Sequence, residues 1–252
     1  MQDQEQEQEQ AQEQEQEQEQ EQEQEQEVMK ISAVIVAAGS SRRMGFDKLL
    51  ADLCGETVLV RSLLAFQSCP DVAEIRVVTA AEKNNDIYEA ANRLSISKFI
   101  ECVEGGAERH LSVSAGLGRV GDDCDLVAVH DGARPLVTAE AISGCAKVAE
   151  KTGAATLAHR VADTLKRGNE SGEVCESVSR ENLWAMETPQ IFQVELLRKA
   201  YDSVLAVGQI VTDEVSAIES IGHAVSLVEN ADPNTKITVP GDLVVARAVI
   251  AG

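Results

Sequence analysis

Residues 31–48 read ISAVIVAAGSSRRMGFDK, an apolar run followed by a loop of small and basic residues. The run at 31–36 predicts a buried strand. Small residues and a glycine directly after a strand let backbone N–H groups approach phosphate oxygens, and Arg42, Arg43 and Lys48 supply opposite charge. The loop therefore predicts a site for a nucleotide triphosphate. The alternative is an ordinary turn whose basic residues are exposed.

Outward from this stretch, short apolar runs alternate with segments of helical periodicity, which is typical of strand and crossover-helix units. Strands are predicted at 31–36, 75–79, 99–103 and 126–129. Helices are predicted at 58–67, 83–94 and 109–118, after Thr138, around 194–207, and at 242–250. We therefore predict an α/β fold with a mostly parallel sheet flanked by helices. The loops after the strands should gather at one edge of that sheet, where open α/β folds bind ligands.

The N-terminal segment differs from the rest of the 252 residues. Residues 2–27 are almost wholly alternating Gln and Glu, with no apolar face at any period. We predict a disordered tail at 1–28, with a solvated helix as the alternative, and one folded domain at 29–252. The tail carries Asp3 and eleven Glu, so it holds twelve of the twenty-one net negative charges and leaves −9 on the domain.

The charge and hydropathy of the chain argue against nucleic-acid and membrane partners. A moderately acidic domain argues against a sequence-independent nucleic-acid surface, which needs a basic face. The chain shows neither a secretory apolar segment nor an apolar run near eighteen residues, so we expect no membrane partner and a cytoplasmic location. Six scattered cysteines without metal-ligand spacing suit a reducing compartment.

The segment at 159–180 interrupts the strand and helix rhythm. Residues 166–173 are polar and turn-rich, and the flanking runs at 161–165 and 174–178 are predicted to pair as a hairpin. Such an excursion is either a flexible lid, an arm onto a second subunit, or a plain surface hairpin.

A second chemical cluster, VHDGARP, occupies residues 129–135 at the end of a predicted strand. An aspartate there, Asp131, can hold a divalent cation or accept hydrogen bonds from a hydroxyl, and Arg134 can bind a phosphate bidentately. The two side chains can equally pair with each other. His130 is expected to orient the turn, because no second ligand has zinc-like spacing.

Five motifs, in their order and approximate spacing, resemble those of the 2-C-methyl-D-erythritol 4-phosphate cytidylyltransferases of non-mevalonate isoprenoid synthesis. They are the loop at 37–48, HDGARP at 130–135, TPQ at 188–190, TDE at 212–214 and NTK at 234–236. The resemblance runs from about residue 30 to the C-terminus. The short first loop is also similar to that of molybdenum-cofactor nucleotidyltransferases, but the later motifs are not.

The resemblance implies a Rossmann-like nucleotidyltransferase fold and a homodimer joined by a projecting β-hairpin arm. It implies transfer of CMP from CTP to methylerythritol phosphate, with Mg²⁺ bridging the triphosphate. Arg43 and Lys48 match residues that stabilise charge in the reaction, and Arg180 and Lys236 match those aimed at the incoming phosphate. The positions implied for the nucleotide are Ala37, Ala38, Gly39, Gly105, Gly106 and Ser112.

The acceptor positions that the resemblance implies are Asp131, Arg134, Thr164, Thr188 and Thr212, and Asp131 is also the predicted metal ligand. Thr212 alternatively belongs to a helix N-cap. Two other functions stay open. One is a cytidylyltransferase for another polyol phosphate such as ribitol 5-phosphate, and the other is a non-catalytic nucleotide-binding module. The presence of Arg43, Lys48, Asp131 and Lys236 together favours an enzyme.

Overall fold

The computed structural model describes residues 29–39 and 44–252, so the predicted tail at 1–28 lies outside the described residues. The strands are β1 Ile31–Val36, β2 Asp52–Leu53, β3 Glu56–Thr57, β4 Val72–Thr79, β5 Phe99–Glu104, β6 Leu126–Asp131, β7 Ala154–Arg160, β8 Leu165–Gly168, β9 Val174–Val178, β10 Trp184–Gln193 and β11 Ser226–Glu229. The helices are α1 Val58–Ser68, α2 Asn84–Arg93, α3 Arg109–Leu117, α4 Ala139–Thr152, α5 Val194–Ala206, α6 Glu214–Ser220 and α7 Pro240–Ala251.

A seven-stranded sheet forms the centre, in the order β11-β7-β10-β6-β1-β4-β5. β1 pairs in parallel with both β4 and β6, and β4 pairs in parallel with β5. β10 runs antiparallel to β6 and β7. The expected α/β fold with a mostly parallel sheet is confirmed. The chain first builds outward from β1 to β4 and β5, then returns to β6 on the other side of β1.

The sheet is covered on both faces because alternate side chains of each strand need an apolar partner. On one face, Ala33 and Ile35 of β1 pack in a core that also contains residues of α1, α2 and α4. On the other face, Val34 packs in a core with residues of α3, α5 and α6. Every residue of β6 is buried, and this explains its nearly continuous apolar sequence.

The helix α3 lies very close to the sheet, and this proximity requires a glycine. A Cβ at Gly116 would stand 2.5 Å from Val34 Cγ1 and 2.7 Å from Val78 Cγ2. No side chain fits between this helix and β1 or β4. The position of α3 matters for the site, because Arg109 and Ser112 of its first turn line the same cleft as Val36 at the end of β1.

The excursion at 159–180 contains the two-stranded sheet of β8 and β9, most of whose residues are exposed. The predicted strand at 161–165 is wrong, since β8 spans Leu165–Gly168. The turn sets this register: Asn169 O accepts from Gly172 N at 3.0 Å, and Gly172 adopts φ +80°. Val161 instead donates to Leu183 O at 3.1 Å, at the β7 and β10 ends of the arm.

All six cysteines are free thiols. No helix within 29–39 and 44–252 combines the length and apolar character needed to cross a membrane.

Candidate active site at the carboxyl edge of the sheet

A cleft of about 190 Å³ lies where β1 and β6 end. After β1 the chain continues to β4 toward one edge of the sheet, and after β6 it continues to β7 toward the other edge. Ligand sites of open α/β folds form at such a switch point. The cleft also contacts the loop before α3 and the segment before α7. The predicted site residues that line it are Ala37, Ala38, Gly39, Lys48, Gly106, Ser112, Asp131 and Lys236.

The predicted nucleotide side of the cleft, formed by the loops after β1 and β5, is built from small residues in close contact. A Cβ on Gly105 would lie 2.5 Å from Ala38 Cβ and 3.1 Å from Ser112 Oγ. The Ser112 hydroxyl lies 3.3 Å from Gly106 O and 3.1 Å from Glu108 O, which fixes the loop before α3. The loop after β1 and the loop after β5 thus approach each other closely at Ala38 and Gly105. The structure brings these predicted nucleotide residues together.

Asp131 ends β6 as a buried carboxylate surrounded by cations. Lys236 Nζ donates to Asp131 Oδ2 at 2.7 Å, and Arg109 Nε lies 3.4 Å from Oδ1. Burial opposes the charge of Asp131, but Arg109 and Lys236 outweigh it and hold its pKa well below the ordinary value. Asp131 is therefore ionised at neutral pH, and it orients Lys236 in the cleft.

Arg109 is a site residue that the sequence reasoning missed. Its two terminal nitrogens lie 2.6 and 2.9 Å from the two carboxylate oxygens of Glu214, which is fully buried at the start of α6. Tyr201 also donates to Glu214, at 3.0 Å. Burial opposes the charged form of Arg109, but Glu214 outweighs it and raises the pKa of Arg109. The sequence signal was weak, because the partners lie 105 residues apart.

His130 orients the turn after β6, as predicted. Its Nε2 lies 3.1 Å from the carbonyl of Arg134, which can only accept, so Nε2 carries the proton. Thr188 Oγ1 accepts from Asp131 N–H at 3.0 Å and lies 3.1 Å from His130 Nδ1, to which its own proton donates. Complete burial lowers the pKa of His130 to about 4, so the ring is neutral.

Arg134 packs beneath the site and does not line the cleft. Its terminal nitrogens donate to Asn234 O at 2.7 Å and to Met186 O at 3.2 Å. Its Nε is buried, 3.8 Å from Asp131 Oδ2, without a hydrogen-bond partner in the described part of the chain. A bidentate grip on phosphate, which remains a prediction, would require both carbonyl contacts to be released.

Lys48 stands at the end of the stretch at 37–48, called the phosphate loop after its predicted ligand, and reaches the segment that carries Lys236. Its ammonium donates to Ile237 O at 2.7 Å, directly after Lys236 in sequence. The preceding residue, Asp47, accepts from Leu49 N–H at 3.0 Å and pairs with Lys83 at 2.6 Å. These contacts fix the backbone on both sides of Lys48. Arg43 lies outside the described residues.

The remaining predicted residues lie away from this cleft. Thr164 and Arg180 are exposed in the excursion at 159–180, and Arg180 donates to Ala162 O. Thr212 is exposed beside α6, with Ser216 Oγ at 3.5 Å. The N-cap of α6 is Asp213, whose side chain accepts from Ser216 N–H at 3.0 Å. The structure of one chain therefore does not bring these three predicted residues into its own cleft.

A mostly parallel sheet, a lysine in the loop after β1 and a cation-rich cleft at the switch point are typical of an α/β enzyme of the nucleotidyltransferase class. Residues 31–252 match the model of one family within it. The chain belongs to the 2-C-methyl-D-erythritol 4-phosphate cytidylyltransferase family.

Individual relatives agree with this family. The enzyme of that name from Caldanaerobacter subterraneus subsp. tengcongensis is 42% identical over 222 residues, covering 87% of this chain and 98% of the relative. The crystal structure of 4-diphosphocytidyl-2C-methyl-D-erythritol synthase from Anaerococcus prevotii is similar with a TM-score of 0.78 at 27% identity, covering 90% of this chain and 100% of that one. The Thermus thermophilus cytidylyltransferase structure gives 0.72 at 30% identity, covering 87% and 98%.

Proposed function

We propose that the protein transfers CMP from CTP to 2-C-methyl-D-erythritol 4-phosphate, giving 4-diphosphocytidyl-2-C-methyl-D-erythritol and pyrophosphate for isoprenoid synthesis. Beside membership of the family, one observation carries the proposal. Lys48 of the phosphate loop and Lys236 beside Asp131 converge on one cleft from opposite ends of the sequence. A reaction that joins two polyanions needs cations on both sides, because their repulsion must be offset before the reacting atoms meet.

The chemistry follows from that arrangement. A phosphate oxygen of the polyol attacks the α-phosphorus of CTP, the bond from that phosphorus to the β-bridging oxygen breaks, and pyrophosphate takes the electron pair. The attacking phosphate is ionised at neutral pH, so a nucleophilic side chain is not required. Lys48 stabilises the charge on the triphosphate, and Lys236 orients the incoming phosphate. Arg43 is proposed to assist Lys48.

Mg²⁺ is proposed as the cofactor, with Asp131 as its protein ligand. The described residues contain no group of three or more His, Cys, Asp or Glu side chains placed to hold a metal. Asp131 lines the cleft as an ionised carboxylate, however, and Mg²⁺ commonly binds through one or two carboxylates together with substrate phosphates. The donor set fits an ion carried on the triphosphate, because a carboxylate has about four lone-pair sites and the contacts with Arg109 and Lys236 use only two of them. Bound there, Mg²⁺ would neutralise phosphate charge.

A homodimer is proposed because Thr164 and Arg180 stand away from the cleft of their own chain. A lone two-stranded hairpin is marginally stable in water, so β8 and β9 gain from packing on another surface. In a dimer joined by this arm, each chain would supply these residues to its partner's cleft. A cytoplasmic location is proposed from the free cysteines, which suit a reducing compartment.

Pyrophosphate release by the purified protein with CTP and Mg²⁺ tests the reaction. Parallel samples contain methylerythritol 4-phosphate, ribitol 5-phosphate or no acceptor. Release with methylerythritol phosphate alone is expected. Release with ribitol phosphate alone would indicate the same transfer reaction with a different acceptor. No release in any sample would favour a non-catalytic nucleotide-binding module.

Mixing two inactive variants tests the shared site. Arg180→Ala removes the arm residue and Lys48→Ala removes the cleft residue, so a mixed dimer contains one intact site if the arms are exchanged. Refolding an equimolar mixture should restore about a quarter of wild-type turnover, since half of the dimers are mixed and each has one working site. Failure to restore turnover would contradict the exchanged arm.

A further inference from the structure

Glu187 is a buried carboxylate that the reaction itself does not use. It lies in β10 where the register with β7 shifts, and it is 4% exposed. Its Oε2 accepts from Asn230 Nδ2 and Asn234 Nδ2, both at 2.9 Å. Its Oε1 lies 2.6 Å from His159 Nδ1. Both oxygens are therefore occupied, and the partners come from two separate parts of the chain.

One set of partners belongs to the segment that carries Lys236. Asn234 Nδ2 also donates to Thr188 O at 2.9 Å, so the side chain of Asn234 is fixed to two consecutive residues of β10. Two residues later, Lys236 contacts Asp131, whose own N–H donates to Thr188. A closed ring of contacts thus runs from β10 through Asn234 and Lys236 to Asp131 and back to β10.

The other partner, His159, stands at the end of β7, where the excursion at 159–180 begins. Its side chain is 53% exposed, whereas that of Glu187 is 4% exposed. Arg160, the next residue, stacks its guanidinium over Trp184 at 4.4 Å. Two consecutive residues therefore attach the base of the arm to β10, His159 through Glu187 and Arg160 through Trp184. Glu187 in turn connects that base to the segment at 230–236.

We propose that Glu187 is a positioning residue that holds Lys236 in register for the acceptor phosphate and joins its segment to the base of the arm. This inference rests on the proposed function. Glu187 acts through hydrogen bonds to Asn230 and Asn234, not by touching a substrate. Loss of the carboxylate leaves the buried amide of Asn230 without its acceptor and leaves Asn234 with its contact to Thr188 O only. The segment at 230–236 is then held less firmly, while the predicted nucleotide side of the cleft is untouched.

Steady-state kinetics of Glu187→Ala, Glu187→Gln and His159→Ala test this role, with Glu195→Ala on an exposed face of α5 as the matched control. For Glu187→Ala, the KM for methylerythritol phosphate should rise at least about tenfold and the KM for CTP should stay within about twofold. Glu187→Gln should recover most of the loss, because its carbonyl can accept from both asparagines while its amide donates to His159. His159→Ala should raise the same KM by a smaller factor.

Amide hydrogen exchange of the same proteins gives a readout that does not require turnover. Residues 230–237 should exchange faster in Glu187→Ala than in wild type or Glu195→Ala, while α3 is unchanged. This distinguishes failure of the inference from failure of the proposed function, because an inactive wild type would leave the exchange result intact. If Glu187→Ala does not fold, Asn230→Ala removes one of the donors and takes its place. Unchanged exchange at 230–237, or an equal rise in both KM values, would overturn the proposal.

Discussion

The ammonium of Lys48 donates a hydrogen bond to the backbone carbonyl of Ile237 at 2.7 Å, across 189 residues of sequence. Ile237 N–H in turn donates to Ala133 O at 2.8 Å. The segment that carries Lys236 is therefore held between the phosphate loop and the turn after β6. This contact joins the two halves of the cleft, and substitutions on either side of it test which substrate each half binds.

Lys48→Ala is expected to lower kcat by at least about a hundredfold, the scale of losing one preorganised charge-stabilising group. Arg43→Ala should behave in the same way. Single-turnover measurement with saturating CTP and acceptor checks the chemical step, with Lys199→Ala on the exposed side of α5 as a control. Near wild-type turnover in either variant would show that the substituted residue does not stabilise charge in the reaction.

Lys236→Ala should chiefly weaken acceptor binding, because it deletes the cation that Asp131 orients. Loss of one hydrogen bond to a charged group corresponds to a rise of roughly 10- to 100-fold in the KM for methylerythritol phosphate. Initial rates at fixed CTP and varied acceptor measure this effect, with Lys151→Ala in α4 as a control. An unchanged acceptor KM would contradict the assigned role.

Gly105→Ala is expected to damage the nucleotide side selectively. The added Cβ would lie 2.5 Å from Ala38 Cβ, which is attached directly to the backbone, so one of the two loops must move. The KM for CTP should rise roughly tenfold or more, since small displacements of a binding loop are costly. Gly144→Ala is the matched control, because no atom lies within 4 Å of its new Cβ. Equal CTP affinity in both variants would argue against this packing.

His130 should make stability depend on pH. Its pKa in the folded protein, about 4, lies below the ordinary value of 6.5 because the ring is buried. Between these values the unfolded chain takes up a proton that the folded chain does not, so the free energy of unfolding falls as pH is lowered from 6.5 to 4. Across this range the free energy of unfolding falls by about 3 kcal/mol because of His130, and above pH 6.5 His130 leaves it unchanged.

Urea unfolding at pH 7 and pH 5 measures this dependence in wild type and in His130→Asn. The variant should show the smaller decrease between the two pH values, whatever its absolute stability. Identical decreases would mean that His130 does not resist protonation in the folded state.

Deletion of residues 2–28 should leave both turnover and melting temperature unchanged. The family match begins at residue 31, and an alternating Gln and Glu sequence offers no apolar surface for packing. Thermal unfolding and the pyrophosphate assay on the shortened protein check this expectation. A lower melting temperature would show that the tail contributes to the fold.

Elements whose signal is local could be predicted from the sequence. The apolar run of β1 and the periodicity of α1 predicted a strand at 31–36 and a helix at 58–67, and the structure has them at Ile31–Val36 and Val58–Ser68. The register of the arm could not be predicted in the same way. Apolar residues at 161–165 suggested pairing there, but the turn chemistry of Asn169 and Gly172 moved the strand to Leu165–Gly168.

By itself the sequence determined the alternation of strands and helices, the phosphate loop after β1 and the motifs of the family, because these depend on periodicity and residue type within short windows. Only the tertiary structure decided which charged side chains meet. Arg109 pairs with Glu214, and Glu187 accepts from Asn230 and Asn234, because packing of helices and loops on the sheet brings segments together that are distant in the sequence. The strength of each contact there depends on burial and distance, which sequence spacing does not encode.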